Sequence, residues 1–352
     1  MHGVTAMFLC GTLLVGLAYG LQVAFVNFWP GFDPLVDNPI LEAMRRSCNS
    51  RGCTIKVVGD HLGADIIVSS LFPGPEFCAE ACDSPPRVPW PALRAATGAK
   101  KILYIGESPG RHPYASLDPT FFDLVLGPTH NPEGAPRRFR FPHWLFDWRW
   151  WQSAVRNELH YVTRPMLPLD RRTMNVTLIS RTNFGPVPGF RSTLLYYLQT
   201  KGVHVSCPSA LGKNMPSIEE LGWSKLQFLS QSIFNVCPEN ALFDGFVTEK
   251  LFDAVSMANI PVYFGAIGEL ERKIVNADRA IFVRDTSEAA AIEAAERVAS
   301  LLRNQTELQR VFALPRFNPG SEGIIREVVW QISQAIAQVV NAAADMKVRI
   351  EL

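Results

Sequence analysis

Short apolar segments alternate with longer amphipathic segments along the chain, and the alternation runs through the sequence twice. The apolar segments are about five residues long and have turn residues on both sides, which is typical of buried parallel strands. In the clearest amphipathic segment, Phe246–Ala258, the side chains of Val247, Leu251 and Val255 fall on one face of a helix. Two such β/α runs in 352 residues predict an α/β fold with two Rossmann-like domains facing a central cleft.

The elements divide the chain into an apolar leader at 1–20, a first domain at 21–170 and a second domain at 171–352 that ends in helices. The predicted strands are Leu21–Phe28, Cys53–Val58, Asp65–Ser69, Lys101–Ile105, Phe122–Leu126, Val176–Ser180, Val203–Ser206, Ile233–Cys237, Ile260–Phe264 and Ala280–Val283. The predicted helices are Asn38–Ser47, Gly189–Thr200, Lys225–Gln231, Phe246–Ala258, Glu288–Leu302 and Ile324–Asn341. The Pro-rich stretches Phe72–Pro91 and Gly127–Arg172 are predicted to be irregular.

Charge and cysteine content exclude several classes of function. The formal net charge is only +1, which argues against a generally basic nucleic-acid surface. Seven cysteines without regular spacing make a poor disulfide framework, and none of the patterns of a structural zinc site occurs. The pairs Cys48/Cys53 and Cys78/Cys82 are close enough along the chain to bridge in an oxidising compartment.

The first residues are apolar and uncharged from Val4 to Gly20. Together with the segment that follows they are long enough to span a bilayer, which takes about 20 residues. No Lys or Arg precedes them, so the basic region of a signal peptide is missing. The sequence leaves open a membrane-seeking leader and a buried start of the fold. With the leader, we expect membrane association, at the cytoplasmic face in a bacterium or in the Golgi in a eukaryote.

Several common catalytic motifs are absent from the sequence. It contains no G-x-x-x-x-G-K-[ST] loop, no H-E-x-x-H, no G-x-S-x-G and no D-x-D. D-x-D is the usual clamp for a metal-bound diphosphate in sugar transferases with one Rossmann domain. A nucleotide-sugar enzyme of this sequence must therefore neutralise a diphosphate with protein cations and a helix dipole.

The segment Pro238–Lys250 contains groups that can bind and neutralise a diphosphate. It joins the predicted strand Ile233–Cys237 to the amphipathic helix, so its last residues lie near a helix N-terminus, where free N–H groups attract phosphate. Lys250 adds a charge and Thr248 a hydroxyl, while Glu239, Asn240 and Glu249 can accept hydrogen bonds from sugar hydroxyls. The same Thr-Glu-Lys sequence is also compatible with ordinary helix capping.

Two further residues are candidates by position. Glu107 follows the predicted strand Lys101–Ile105, and the carboxyl end of a strand is where an α/β enzyme places a general base. Arg191 begins the helix Gly189–Thr200 and can hold a phosphate. Each is equally compatible with a solvated surface residue.

The segment Phe228–Gly265, FLSQSIFNVCPENALFDGFVTEKLFDAVSMANIPVYFG, resembles the signature of the α-1,3/4-fucosyltransferase family, glycosyltransferase family 10. That signature runs approximately F-x-x-x-x-E-N, Y-V-T-E-K, a helix and then I/V-P-V/I-x-x-G. Weaker similarities occur in LQVAFVNFW, in Gly106–Pro109, in FDLVLG, in RFRFPHW and in Ser180–Arg191. Phe246 stands where the family usually has Tyr, and Ala241 where Ser is common, so a hydroxyl contact is lost but no charge.

This resemblance implies a GT-B-type fold, with an acceptor domain followed by a GDP-fucose domain. It also implies an inverting transfer of L-fucose from GDP-fucose to a hydroxyl of an oligosaccharide or glycoconjugate, α-1,3 to a GlcNAc-type sugar. Glu107 would be the general base, and the donor-binding residues would be Arg191, Glu239, Asn240, Phe246, Val247, Thr248, Glu249 and Lys250. No cofactor is required, no dedicated metal site is expected, and Mn²⁺ or Mg²⁺ would at most stimulate the reaction.

Three questions stay open at the level of sequence. A different nucleotide-sugar donor and a catalytically silent sugar- or nucleotide-binding relative are both compatible with the fold. The acceptor and the linkage depend on the irregular segments. The tryptophans of the second of these segments can stack on sugars or anchor a loop, and they are Trp144, Trp148, Trp150 and Trp151.

Overall fold

The computed structural model describes residues 19–29, 31–71, 88–107, 119–129, 137–163, 165–183 and 189–351. Most of the predicted leader, the greater part of the loop Phe72–Pro91 and the pair Cys78/Cys82 lie outside these residues. Among the described helices, none combines the length and the apolar character needed to cross a bilayer.

Two parallel sheets form the framework, which confirms the predicted α/β architecture. Within the described residues, the first sheet has six strands in the order β2-β1-β3-β4-β5-β6, and the second has five in the order β11-β10-β9-β7-β8. The first-sheet strands are β1 (Gly20–Val26), β2 (Thr54–Val58), β3 (Ile66–Ser69), β4 (Lys100–Tyr104), β5 (Leu124–Gly127) and β6 (Arg138–Arg140). The second-sheet strands are β7 (Met174–Leu178), β8 (Val205–Ser206), β9 (Ser232–Val236), β10 (Ile260–Tyr263) and β11 (Ile281–Phe282).

Helices cover both sheets. They are α1 (Pro39–Ser50), α2 (Trp90–Ala95), α3 (Trp148–Val155), α4 (His160–Thr163), α5 (Phe190–Thr200), α6 (Lys225–Ser230), α7 (Glu249–Ser256), α8 (Glu269–Ile274), α9 (Glu288–Arg303), α10 (Gln305–Ala313) and α11 (Ser321–Glu351). Helices α2, α8 and α10 were not expected from the sequence. Helix α7 is shorter than predicted, since Thr248 caps it and it runs only from Glu249 to Ser256.

The segment Gly127–Arg172 is more regular than the sequence indicated, and that prediction was wrong. It contains β6, α3, α4 and a 3₁₀ turn at His143–Phe146. The side chains of Trp144, Trp150 and Trp151 are at most 1% exposed, and the Trp144 ring stacks on Phe252 with 3.9 Å between centroids. These three tryptophans therefore pack in the core. Because their ring faces are not accessible, they cannot stack on a sugar.

The last helix returns to the first sheet. Helix α11 packs against α1 and α3 and against β4, β5 and β6. Its apolar stripe, which includes Ile325, Val329, Ile332 and Ile336, is buried in the same core as the first-sheet strands. The predicted domain limits at residues 170 and 171 stay a prediction, and α11 lies by its contacts on the first sheet.

A buried ion pair joins the two halves of the molecule. Arg140, at the end of β6, donates from Nη2 to both carboxylate oxygens of Glu271 on α8, at 2.6 and 2.7 Å, and Trp144 donates to the same carboxylate at 3.1 Å. Nearby, the Gly245 Cα lies so close to the Pro128 carbonyl that an added Cβ would be 2.3 Å from that oxygen. The loop before α7 is thus seated directly on the first domain.

Cys48 and Cys53 form a disulfide at the end of α1, so the first of the two possible pairings is present.

Candidate active site

The first cavity of the site lies at the carboxyl ends of β7 and β9. In the second sheet the chain moves from β7 to β8 on one side and then to β9 on the other, so the strand order reverses between β7 and β9. Open α/β sheets bind ligands at such a switch point. The cavity, of about 350 Å³, is lined by the residues after both strands and by Arg191, Lys225, Glu249 and Lys250. We call it the charged cavity.

Arg191 ties the two strand ends together. Its guanidinium donates to Ser180 Oγ at 2.9 Å and to the Thr182 carbonyl at 3.1 Å, both after β7. It also donates to the Pro238 carbonyl at 3.2 Å and to Asn240 Oδ1, both after β9. Burial lowers the pKa of Arg191 against the opposing effect of Glu239. Its Nε hydrogen is buried without a hydrogen-bond partner in the described part of the chain.

Glu239 holds the first residues of α7 and its N-cap in place through hydrogen bonds. Its carboxylate, which is fully buried, accepts from the Thr248 amide at 2.8 Å and the Thr248 hydroxyl at 2.7 Å. The Tyr263 hydroxyl donates to it at 3.2 Å, and Lys250 Nζ at 3.3 Å. All of these partners are protein groups, so Glu239 holds the binding segment in place instead of facing the cavity.

Lys250 and Glu249 carry opposite charges at the cavity wall. Lys250 Nζ also donates to Thr248 Oγ1 at 2.9 Å and lies 3.7 Å from Glu249. Burial acts to lower the pKa of Lys250, but Glu239 and Glu249 outweigh it and raise that pKa above its ordinary value. For Glu249, burial is outweighed by Lys250, Lys225 and His143, which lower its pKa to about 2. Both groups are therefore charged at neutral pH.

Lys225 is a third cation of the charged cavity, and sequence reasoning missed it. Its Nζ lies 2.8 Å from Asp253 and 3.8 Å from Glu249. Asp253 in turn binds Arg149 of α3 at 2.6 Å, so the ion pairs continue into the first domain. Lys225 begins a short helix behind a Ser224 capping box, and in the sequence it looks like any surface lysine of a helix start.

A second cavity, also of about 350 Å³, lies beside the first and contains Glu107. Glu107 lies in the segment that follows β4, as predicted. A Cβ at residue 106 would come within 2.7 Å of the Tyr104 ring, so the chain passes close to that ring just before Glu107. The other lining residues are Trp29, Gly106, His143, Phe146, Asp147 and Glu249. We call it the aromatic cavity.

His143 is the second functional candidate that the sequence did not reveal. It lies in the 3₁₀ turn after β6, and Tyr104 OH is 2.9 Å from its Nδ1. Burial lowers the pKa of His143 to about 4, with Glu249 opposing and Lys250 adding to the shift. A single histidine in a Pro- and aromatic-rich segment has no spacing to other residues that would indicate a functional site. Trp29 and Phe146, whose rings are 5.4 Å apart, complete the apolar wall of the cavity, and neither was a candidate from the sequence.

The two cavities meet at Glu249, which lines both. The structure thus brings together Glu107, Arg191, Asn240, Glu249 and Lys250 around one pair of cavities. Phe246, Val247 and Thr248 are buried, at 3%, 0% and 3% exposure, and they support the segment from behind. Direct donor contacts of these three side chains and of Glu239 stay a prediction.

No group of three or more metal-ligating side chains occurs within the described ranges.

Comparison with known proteins finds a family model that matches most of the second half of the chain. Residues 178–319 match the model of glycosyltransferase family 10 (fucosyltransferase) C-term. The segment Phe228–Gly265 lies within this match, so the resemblance predicted from it is confirmed, and with it the prediction of a glycosyltransferase. Comparison with curated protein sequences finds no match.

Solved structures agree on the fold. A crystal structure of an α1,3-fucosyltransferase with GDP-fucose superposes with a TM-score of 0.56 and 16% identity, over 95% of this chain and 94% of that one. The same type of enzyme with GDP gives 0.57 and 16% over 92% of both chains. Anabaena HepE in complex with UDP-glucose gives 0.50 and 10%, over 92% of this chain and 100% of that one. The predicted GT-B-type fold is confirmed by these likenesses.

Proposed function

We propose that the chain transfers L-fucose from GDP-fucose to a glycan hydroxyl with inversion, because residues 178–319 match the C-terminal model of glycosyltransferase family 10. The charged cavity takes the diphosphate of the donor, and the aromatic cavity takes the acceptor sugar. The acceptor is a GlcNAc-type sugar in an oligosaccharide or glycoconjugate, and the linkage formed is α-1,3.

One observation carries this proposal: Glu107 lines one cavity, Lys250 and Arg191 line the other, and Glu249 borders both. An inverting transfer needs its base and its leaving group on opposite faces of the anomeric carbon. The two adjoining cavities provide that separation. The anomeric carbon would lie near Glu249, where they meet.

The reaction follows from these positions. Glu107 takes the proton from the acceptor hydroxyl as its oxygen attacks the anomeric carbon, and the bond from that carbon to the phosphate oxygen breaks. Positive charge develops on the sugar ring, next to the Glu249 carboxylate. Negative charge develops on the departing phosphate, toward which Lys250, Arg191 and the N-terminus of α7 are already oriented. Charges arranged in advance stabilise the transition state without reorganisation.

The buried hydrogen bonds explain why these cations are in place before the donor arrives. Lys250 is held by Glu239 and Thr248, and Arg191 by four protein acceptors. The unpaired Nε hydrogen of Arg191 is the kind of donor that a phosphate oxygen satisfies. In this assignment Glu239 positions Lys250.

Protein cations replace a bound metal in the proposed reaction. Lys225, Lys250 and Arg191 line the charged cavity together and can neutralise a diphosphate. We therefore expect turnover to continue in excess EDTA, with added Mn²⁺ or Mg²⁺ acting only as a stimulant. A complete loss of activity in EDTA, restored by Mn²⁺, would contradict this part of the proposal.

The donor assignment is tested by calorimetry with GDP-fucose, GDP-mannose and UDP-galactose, on the wild type and on Lys250→Ala. Selective binding of GDP-fucose that Lys250→Ala weakens at least tenfold supports the proposal. The matched control is Lys213→Ala, since Lys213 is a half-exposed lysine of the same domain that pairs with Glu220 and does not line either cavity. Preference for another nucleotide sugar would support a different GT-B donor, and binding of none by folded protein would support a silent relative.

We also propose that the apolar residues 1–20 associate the enzyme with a membrane, at the cytoplasmic face in a bacterium or in the Golgi in a eukaryote. Sedimentation with membranes of the full chain, but not of a chain that begins at Leu21, is the expected result. Equal sedimentation of both would contradict it.

A further inference from the structure

His143 lies in the wall of the aromatic cavity. Glu107 and Glu249 line the same cavity, and the Phe246 ring is 6.2 Å from the imidazole. No step of the proposed reaction uses His143. The residue lines the cavity and is not fully buried, so its side chain can contact a ligand there.

One ring nitrogen of His143 forms a hydrogen bond within the protein. The Tyr104 hydroxyl, whose side chain is fully buried, lies 2.9 Å from Nδ1 of His143. In the described part of the chain, neither the Tyr104 hydroxyl nor the imidazole makes another hydrogen bond. The contact therefore has two arrangements: the hydroxyl donates to Nδ1, or Nδ1 donates to the hydroxyl.

The second arrangement leaves the tyrosine hydrogen buried and unpaired. Such a group costs about 1–3 kcal/mol, whereas the first arrangement satisfies both partners. The Tyr104 hydroxyl therefore donates, and Nδ1 accepts. A neutral imidazole that accepts at Nδ1 carries its hydrogen on Nε2.

Burial keeps the ring neutral at working pH, since it lowers the pKa of His143 to about 4. The charged and titratable groups near the ring are Glu249, Lys250, Glu107 and Tyr104, and Asp147 lines the same cavity. None of them accepts a hydrogen bond from Nε2. Within the described residues, the Nε2 hydrogen is therefore a fixed donor that no protein group accepts.

We infer that Nε2 of His143 donates a hydrogen bond to an oxygen of the acceptor sugar and so determines which acceptor hydroxyl lies against Glu107. This inference rests on the proposed function, because it needs an acceptor in the aromatic cavity. His143 is then a specificity residue: the sugar oxygen that it binds sets the rotation of the sugar ring and hence the linkage. Tyr104 is a positioning residue, since it acts only by fixing the tautomer.

The inference is tested with two substitutions that differ in which nitrogen they replace. The side-chain amide of His143→Gln reaches the place of Nε2 and donates there, whereas that of His143→Asn reaches only the place of Nδ1. With N-acetyllactosamine as acceptor, we expect His143→Asn to raise the acceptor KM about tenfold and His143→Gln to stay within about threefold, the range of one neutral hydrogen bond. The Kd for GDP-fucose should not change in either variant.

Three outcomes would overturn the inference: an equal loss in both variants, no loss in either, or a change in donor Kd with an unchanged acceptor KM. Thermal melts show whether both variants fold. If His143→Asn does not fold, Tyr104→Phe replaces it, with an expected two- to threefold rise in acceptor KM, because the freed ring then divides between two tautomers. An unchanged KM in Tyr104→Phe would also overturn it.

A measurement on the wild type keeps the inference separate from the proposed function. Nitrogen-15 NMR of labelled histidine, with the His143 signals assigned by their loss in His143→Gln, reports the tautomer without any substrate. Hydrogen on Nε2 is expected, and hydrogen on Nδ1 overturns the inference whatever the activity. Wild-type protein that shows the Nε2 tautomer but neither binds GDP-fucose nor fucosylates N-acetyllactosamine would instead overturn the proposed function and, with it, the ligand assigned to His143.

Discussion

The charged cavity and the aromatic cavity share Glu249 but are built in opposite ways. In the charged cavity each cation is held by protein partners, and Asn240, Glu249 and Lys250 come from the single segment Pro238–Lys250. In the aromatic cavity the side chains come from the ends of β1 and β4, from the turn after β6 and from α7. The first is thus organised by charge before a ligand binds. The second presents two rings, carboxylates and one fixed donor, which suits a neutral sugar.

If the two cavities divide the reaction between them, variants in one should leave the other substrate unaffected. The largest separation is expected from Glu107→Gln. It removes the proposed base, and general base catalysis typically contributes 10²–10⁴ in rate, so kcat should fall by about that factor while the Kd for GDP-fucose stays constant. Glu293→Gln is the control, because Glu293 is a 73% exposed carboxylate on α9. A kcat within tenfold of wild type would show that Glu107 is not the base.

Arg191→Lys should act on the charged cavity alone. A lysine cannot reach the four acceptors that the guanidinium bridges after β7 and β9. Hydrogen bonds of a charged group contribute about 1.5–3 kcal/mol, so the Kd for GDP-fucose should rise by about one to two powers of ten, measured by calorimetry. The acceptor KM at saturating donor should remain as in the wild type. A rise in that KM instead would mean that the cavities are not separate.

Trp29→Ala is the corresponding change in the aromatic cavity. Trp29 lines this cavity beside Phe146, so its loss should raise the acceptor KM by about two- to tenfold, which corresponds to an aromatic contact of about 0.5–1.5 kcal/mol. The Kd for GDP-fucose should be unchanged. Trp330→Ala is a matched control, because Trp330 is 58% exposed on α11. An equal effect of both substitutions would mean that Trp29 does not contact the acceptor.

The same contrast explains what the sequence could and could not predict. Pro238–Lys250 is continuous, so strand, loop, cap and cation could be read in order, and the structure places Asn240, Glu249 and Lys250 at the charged cavity. The position of Glu107 could be predicted for the same reason, since it lies in the segment that follows β4. Lys225, His143 and Trp29 join the site only because separate chain segments meet there, and local pattern carries no information about such meetings. The tryptophans of Gly127–Arg172 were ambiguous because burial depends on where α7 and α11 pack.

The smallest expected effect is on the free energy of unfolding, and its pH range differs between His143 and Glu249. The pKa of His143 is about 4 in the folded protein and about 6.5 in an unfolded chain, so between these values the unfolded state binds a proton that the folded state does not. The free energy of unfolding should therefore fall as the pH is lowered from 7 to 5, by at most about 1.4 kcal/mol per pH unit from this group. Glu249 shifts in the same sense, but its window runs from about 4.5 down to about 2. Urea unfolding at pH 7 and pH 5 should show a smaller decrease in His143→Gln than in the wild type, because glutamine does not titrate. Equal decreases in the two proteins would show that protonation of His143 does not cause the loss of stability between pH 7 and pH 5.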